Sequence, residues 1–198
     1  EQEADITAAI HKAAAVVIGP GLGQEAGAER LLDLVLQEAE KLPELPVVID
    51  ADGLNLLAKK RLYSTLGRQY VLTPHLREMS RLSGKSVQEI ADDMTSAVMG
   101  QQAGATIVLK DARTLVSDGD WLYINLSGNS ALSTGGSGDV LSGMIGGLLA
   151  QGCTQRTAAT LAVYMHGLTA EQYCESALPH CMLARDILEM IPKIGGNS

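Results

Sequence analysis

Short apolar runs alternate along this chain with segments in which apolar residues return every three or four positions. Residues 13–18 (Ala-Ala-Ala-Val-Val-Ile) form the first run and predict a strand buried on both faces. Gly19-Pro20-Gly21-Leu22-Gly23-Gln24 ends it, after which Leu31, Leu32, Val35 and Leu36 mark a helix that Pro43 and Pro46 stop. Val47-Val48-Ile49 predicts a second strand, running into Asp50-Ala51-Asp52-Gly53 and a short helix over residues 54–58. Tyr70-Val71-Leu72 predicts the third, ending at Thr73-Pro74-His75. Residues 86–102 read as one helix, with Val87, Ile90, Met94 and Val98 on one side. Thr106-Ile107-Val108-Leu109 is the fourth strand and meets Lys110. Asp118-Gly119, set between Leu115-Val116 and Trp121-Leu122-Tyr123-Ile124, predicts a hairpin. Helices are expected from Asp139 onward, over residues 157–174 and over residues 183–191.

This alternation predicts an α/β fold, a mainly parallel sheet with helices on both faces. Ligands of such sheets bind beyond the carboxyl ends of the strands. Residues 19–23, 50–55, 73–78, 110–114 and 135–139 then share one rim, an arrangement suited to a small-molecule enzyme rather than a structural protein.

The stretch from Asn125 to Gly152 organises the chain. It reads as a strand end, a Gly/Ser/Thr loop and a helix opening at Asp139. Gly135, Gly136 and Gly138 let the backbone approach a ligand, and the unpaired amides of the helix's first turn suit phosphate oxygens. Asp139 stands where it could take a proton from a hydroxyl undergoing phosphorylation. The plainer alternative is a glycine turn ahead of an aspartate-capped helix.

Other positions also carry two readings. Gly21-x-Gly23-x-x-Ala26 with Asp50 imitates a dinucleotide fingerprint, but Pro20 splits the glycines and a tight turn fits better. Lys110 is a phosphate contact or a solvated strand end. Asp50 and Asp52 read as turn and cap residues rather than metal ligands. His75, with Glu78 three residues on, is a substrate contact or a turn residue, whereas His166 reads as a packed or capping residue. Gly143 and Gly147 are expected to allow close helix packing.

Composition narrows the class. The 198 residues are 46% hydrophobic and 19% charged, enough for one domain with a substantial core. A net charge of −8 argues against a broad nucleic-acid footprint, and no apolar run reaches membrane-spanning length. Cys153, Cys174 and Cys181 lack metal-ligand spacing and fit reduced thiols in a cytoplasmic protein. The chain opens without Met in an acidic helix-like segment, so an N-terminal part of the native protein is expected to be missing.

Five motifs in order, Gly19-Pro20-Gly21-Leu22-Gly23, residues 48–55, residues 72–78, residues 108–114 and residues 133–143 (Ser-Thr-Gly-Gly-Ser-Gly-Asp-Val-Leu-Ser-Gly), resemble the ADP- or ATP-dependent NAD(P)H-hydrate dehydratases of the ribokinase-like superfamily. The resemblance implies a three-layer sandwich and makes residues 1–198 one ribokinase-like domain lacking its N-terminal part. It implies repair of NADHX and NADPHX: the nucleotide phosphorylates the added ring hydroxyl, and phosphate then leaves. Asp139 becomes the base, with Gly136 and Gly138 stabilising the transferring phosphoryl group. Lys110, Asp111, Ala112, Arg113 and Thr114 become nucleotide contacts, as do Asn129, Ser130, Ala131, Leu132, Ser133, Thr134, Gly135, Gly136, Ser137 and Gly138. Gly21, His75, Glu78 and Asp139 become substrate contacts. ADP or ATP with Mg2+ and a homo-tetramer belong to the same expectation. Three departures stand out: Asp111 and Arg113 replace glycines of Lys-Gly-Ala-Gly-Thr, Leu76-Arg77 replaces Pro-Gly, and Ser137 replaces Thr or Met. An ordinary kinase of a vitamin-precursor alcohol and a non-catalytic nucleotide-binding module are the rival readings.

Overall fold

The computed structural model describes residues 2–100 and 104–194. The chain runs α1 (Gln2–Ile10), β1 (Val16–Ile18), α2 (Ala26–Lys41), β2 (Val47–Ile49), α3 (Ala51–Lys60) and β3 (Tyr70–Leu72). There follow α4 (Leu76–Ser83), α5 (Val87–Asp92), α6 (Met94–Met99), β4 (Thr106–Leu109), β5 (Leu115–Ser117) and β6 (Leu122–Ile124). The last helices are α7 (Ser137–Ala150), α8 (Gln155–Cys174) and α9 (Ala184–Met190).

The strands form one six-stranded sheet in chain order, β1 to β4 parallel and β5 and β6 antiparallel. Side chains alternate across a strand, so each apolar run feeds two cores. Val47, Ile49, Tyr70, Leu72, Ile107 and Leu109 pack with residues of α2–α6 on one face. Val48, Val71, Val108 and Val116 pack against Leu141, Ile145 and Leu149 of α7 and Ala158, Ala159 and Ala162 of α8 on the other. Valines meeting alanines let the second helix layer lie close to the sheet. The close approach expected of Gly143 and Gly147 falls instead on Gly146, where an added Cβ would lie 2.4 Å from Val17 Cγ2; the first two glycines meet nothing within 4 Å.

Several expectations change. Pairing in β1 starts only at Val16, whose amide meets Pro46 O at 3.0 Å. This strand is a sheet edge with Val17 41% exposed, not a doubly buried one. The helix expected over residues 86–102 is two, because Asp93 turns its carboxylate onto Ser96 N (2.9 Å) and caps a fresh start; its end at Gln102 lies outside the described residues. A helix not anticipated, α4, begins right after His75. Among the described residues no helix is long and apolar enough to cross a membrane.

Candidate active site at the strand exits

The parallel strands deliver their carboxyl ends to one rim, where Lys110 continues β4 and pairs as a parallel bridge with His75. Lys110 N donates to Pro74 O at 2.8 Å, fixing the two exits side by side. At the exit of β2, Asp50 caps α3, accepting from Ala51 N (2.8 Å), and is 1% exposed. Its carboxylate also receives Lys110 Nζ at 2.8 Å and Ser142 Oγ at 2.5 Å. Ser142 Oγ lies 3.1 Å from Gly138 O, so the cluster reaches the start of α7. Asp52 accepts from Gly23 N (3.0 Å) and Gln24 Nε2 (2.9 Å), tying the glycine loop of residues 19–23 to α3.

α7 opens on Gly136, held at φ 84, a left-handed conformation that an L side chain resists. Ser137, not Asp139, is the first helical residue. Gly138 lies so near Lys110 that an added Cβ would stand 3.2 Å from Nζ. Ser137 N is taken by Thr134 O (3.3 Å) and Val140 N by Gly136 O (3.1 Å), so it is the Gly138 end of this turn that meets the lysine ammonium. Asp139 follows in the same turn, exposed, with no hydrogen bond or ion pair to its carboxylate among the described residues.

Behind Ser137 stands His166 of α8, its Nε2 3.1 Å from both Ser137 Oγ and Ser137 O. Burial pushes this imidazole down to about 4; the hydrogen bond to Ser137 opposes the shift and the nearby Lys110 charge adds to it. His166 is thus a neutral buttress for the first turn of α7, in keeping with a packed residue.

A cleft of about 750 Å³ opens between these parts. Its walls include His75, Lys110, Asp111, Ala112, Thr114, Asn129, Ser130, Leu132, Ser133, Thr134, Ser137 and Gly138, all anticipated as ligand contacts. Of the other anticipated residues, Ala131 is buried at 2% in a small core with Ala170, Met182 and Ile187. Arg113, Gly135, Gly136, Gly21, Glu78 and Asp139 do not line this cleft. Glu78 is buried in a capping box: its Oε2 accepts from His75 N (2.9 Å), while His75 Nδ1 accepts from Arg77 N (3.1 Å) and Glu78 N (3.2 Å).

The cleft also takes in Asn125, Ser127, Gly128, Leu141, Val163 and His166. Asn125 is buried and donates Nδ2 to Ser127 O at 2.9 Å, while its Oδ1 accepts from Tyr123 Oη (3.1 Å) and Ser127 Oγ (3.0 Å). The loop it shapes is fastened to α8 by Gly128 N on Glu171 Oε1 (2.7 Å) and Asn129 Nδ2 on Ala170 O (3.1 Å). Gly167, in mid-helix, admits the loop: a Cβ there would lie 2.1 Å from Ser127 Oγ. A glycine inside an apolar helix pattern was the one sequence signal of this contact.

A mostly parallel sheet between helix layers, with a glycine-rich loop feeding a helix N-terminus at the strand exits, is a ribokinase-like α/β fold. A family model described as NAD(P)H-hydrate dehydratase matches residues 1–193, and the chain belongs to that family. It is 44% identical over 167 residues to an ADP-dependent (S)-NAD(P)H-hydrate dehydratase of Neisseria meningitidis, covering 81% of this chain and 55% of that protein. It is 38% identical to a bifunctional NAD(P)H-hydrate repair enzyme of Coxiella burnetii, covering 92% of this chain and 36% of that one. The chain therefore spans about a third to a half of these relatives. Among solved structures, the ADP/ATP-dependent NAD(P)H-hydrate dehydratase of Bacillus subtilis, co-crystallised with ATP/Mg2+, superposes with a TM-score of 0.74 at 31% identity, covering 91% of this chain and 63% of that one.

Proposed function

We propose that this chain carries an ADP- or ATP-dependent dehydration of NADHX and NADPHX, returning NADH and NADPH. One observation carries the reading: the first turn of α7 brings Gly138 beside the Lys110 ammonium, and the adjacent Asp139 carboxylate has no partner among the described residues. The names of the Neisseria and Bacillus relatives support the substrate and the nucleotide.

In this mechanism the amides of Gly136 and Gly138 and Lys110 Nζ receive the terminal phosphoryl group, offsetting charge as it develops, while the Ser137 amide is engaged by Thr134 O (3.3 Å). The Asp139 carboxylate takes the proton of the hydrate's hydroxyl while that oxygen attacks phosphorus and the shortened nucleotide departs. The C–O bond of the resulting ester then breaks and inorganic phosphate departs with the bonding pair, as the lone pair of the ring nitrogen forms a C=N+ bond. The neighbouring C–H proton passes to the departed phosphate or to water, its bonding pair neutralising the C=N+ and restoring the ring double bond. Hydroxide is a poor leaving group and phosphate a good one, which is why a nucleotide is consumed. Among the described residues no group of three or more His, Cys, Asp or Glu could hold a metal ion. Magnesium would enter with the nucleotide, held largely by its phosphate oxygens and water. The tetrameric state and cytoplasmic location belong to the same proposal; Cys153, Cys174 and Cys181 are free thiols.

The test mixes the protein with NADHX and either ADP or ATP, following recovery of reduced-nicotinamide absorbance together with released phosphate. Recovery matched by phosphate is expected with at least one nucleotide. A stable phosphorylated product without recovery would instead indicate an ordinary kinase.

A further inference from the structure

The proposed chemistry leaves Asp50 without a task, yet the fold spends unusual backbone on it. Ala51, next in the chain, is held at φ 48. Gly19 passes so close that a Cβ there would lie 1.8 Å from Asp50 O. Strain of this kind persists only where the surroundings over-determine it. A helix cap alone does not call for it, since capping aspartates usually satisfy second- or third-position amides in ordinary turns. Here the carboxylate takes only the first amide, Ala51 N, and directs its remaining capacity to Lys110 Nζ and Ser142 Oγ.

Lysine carries three donors on a flexible stem. Asp50 engages one donor of Lys110 and leaves the others for the cleft, with Nζ fixed beside Gly138. We infer that Asp50 is a positioning residue: it holds the Lys110 ammonium and, through Ser142, the first turn of α7 in the arrangement that receives a phosphoryl group during transfer. The inference rests on the phosphoryl-transfer reading of the cleft. Asp50 is itself an anion, so it opposes phosphate binding in the ground state. Its benefit must appear in turnover rather than affinity.

The experiment compares Asp50→Asn and Ser142→Ala, each alone and combined with Lys110→Met. Asp50→Asn is expected to lower kcat about tenfold or more while the nucleotide KM stays level or falls. Ser142→Ala should lower kcat about threefold, and both effects should shrink below about twofold once Lys110 is gone. Parallel loss of kcat and affinity, or an undiminished effect without Lys110, overturns the inference. If Asp50→Asn does not fold, Ser142→Ala carries the same comparison. If the wild-type protein turns over nothing, the proposed function fails, and ATP titration decides Asp50 separately. Binding by Asp50→Asn as tight as wild type or tighter supports the role; binding weaker by more than about threefold refutes it.

Discussion

At the scale of single residues, the site combines groups with quite different surroundings, and each difference is measurable. Asp139 is exposed and unpartnered among the described residues, so Asp139→Asn should fold and bind nucleotide normally. Under the proposed mechanism, in which Asp139 takes the proton, the substitution should cost about 10²- to 10⁴-fold in turnover, read in the phosphate-release assay. Asp111 and Arg113 stand where the family resemblance places glycines, but among the described non-glycine residues only Ala51 and Arg61 have positive φ. The backbone at residues 111–113 thus needs no glycine, and what Asp111 adds is charge on the cleft wall. Asp111→Gly should lower the KM for ATP about threefold or more by removing that repulsion, with under about 1 kcal/mol of lost stability from the added chain freedom. His166 titrates near 4 when folded and near 6.5 when unfolded, so between these values the unfolded chain binds more protons. Its contribution is therefore intact above about pH 6.5 and is lost as the pH falls toward 4, by at most about 3 kcal/mol. Denaturation of His166→Gln should show that portion of the acid sensitivity removed.

Elements whose pattern is purely local were the readable ones. Val47–Ile49, Tyr70–Leu72 and Thr106–Leu109 are continuous apolar runs fully covered on both faces, and they emerge as β2, β3 and β4 with the expected ends. Three residues at residues 13–15 look equally apolar yet pair with nothing in the sheet, since pairing depends on where Pro46 lies across the gap. Helix α4 escaped notice because its cap is a histidine, whose ring nitrogen does the work that Ser, Thr, Asp or Asn usually does. The Asp50–Lys110 ion pair joins residues 60 apart, and nothing along one sequence announces such a partnership. Helix α8 illustrates how packing overrides propensity. On helix propensity alone, Gly167→Ala would gain about 1 kcal/mol. The new Cβ would sit 2.7 Å from the Ser127 backbone carbon, which has nowhere to go without moving the loop. The variant should lose about 1–3 kcal/mol and bind nucleotide more weakly, seen by urea unfolding and by titration.

For the whole molecule, the division of labour follows the two faces of the sheet. The α2–α6 layer carries the larger core, while α7 and α8, on the Val/Ala face, supply the helix start and the helix wall that frame the cleft. The rim of strand exits followed from the βαβ alternation, because parallel strands present all their carboxyl ends together. Which side of that rim would carry the cavity did not follow, since it depends on how loop 125–129 is fastened to α8.

That fastening has a mechanical corollary. One wall of the cleft is sewn to α8 through Glu171 and Ala170, whereas Lys110 opposite is moored to Asp50 in the other half of the sheet. A molecule spanning both acts as a rivet, and unfolding either half requires drawing it first. Saturating ATP at about a hundred times its Kd should therefore add about 2.7 kcal/mol to unfolding and raise the melting temperature by several degrees. Guanosine or adenosine lacking phosphates, unable to reach the moored lysine, should raise it far less.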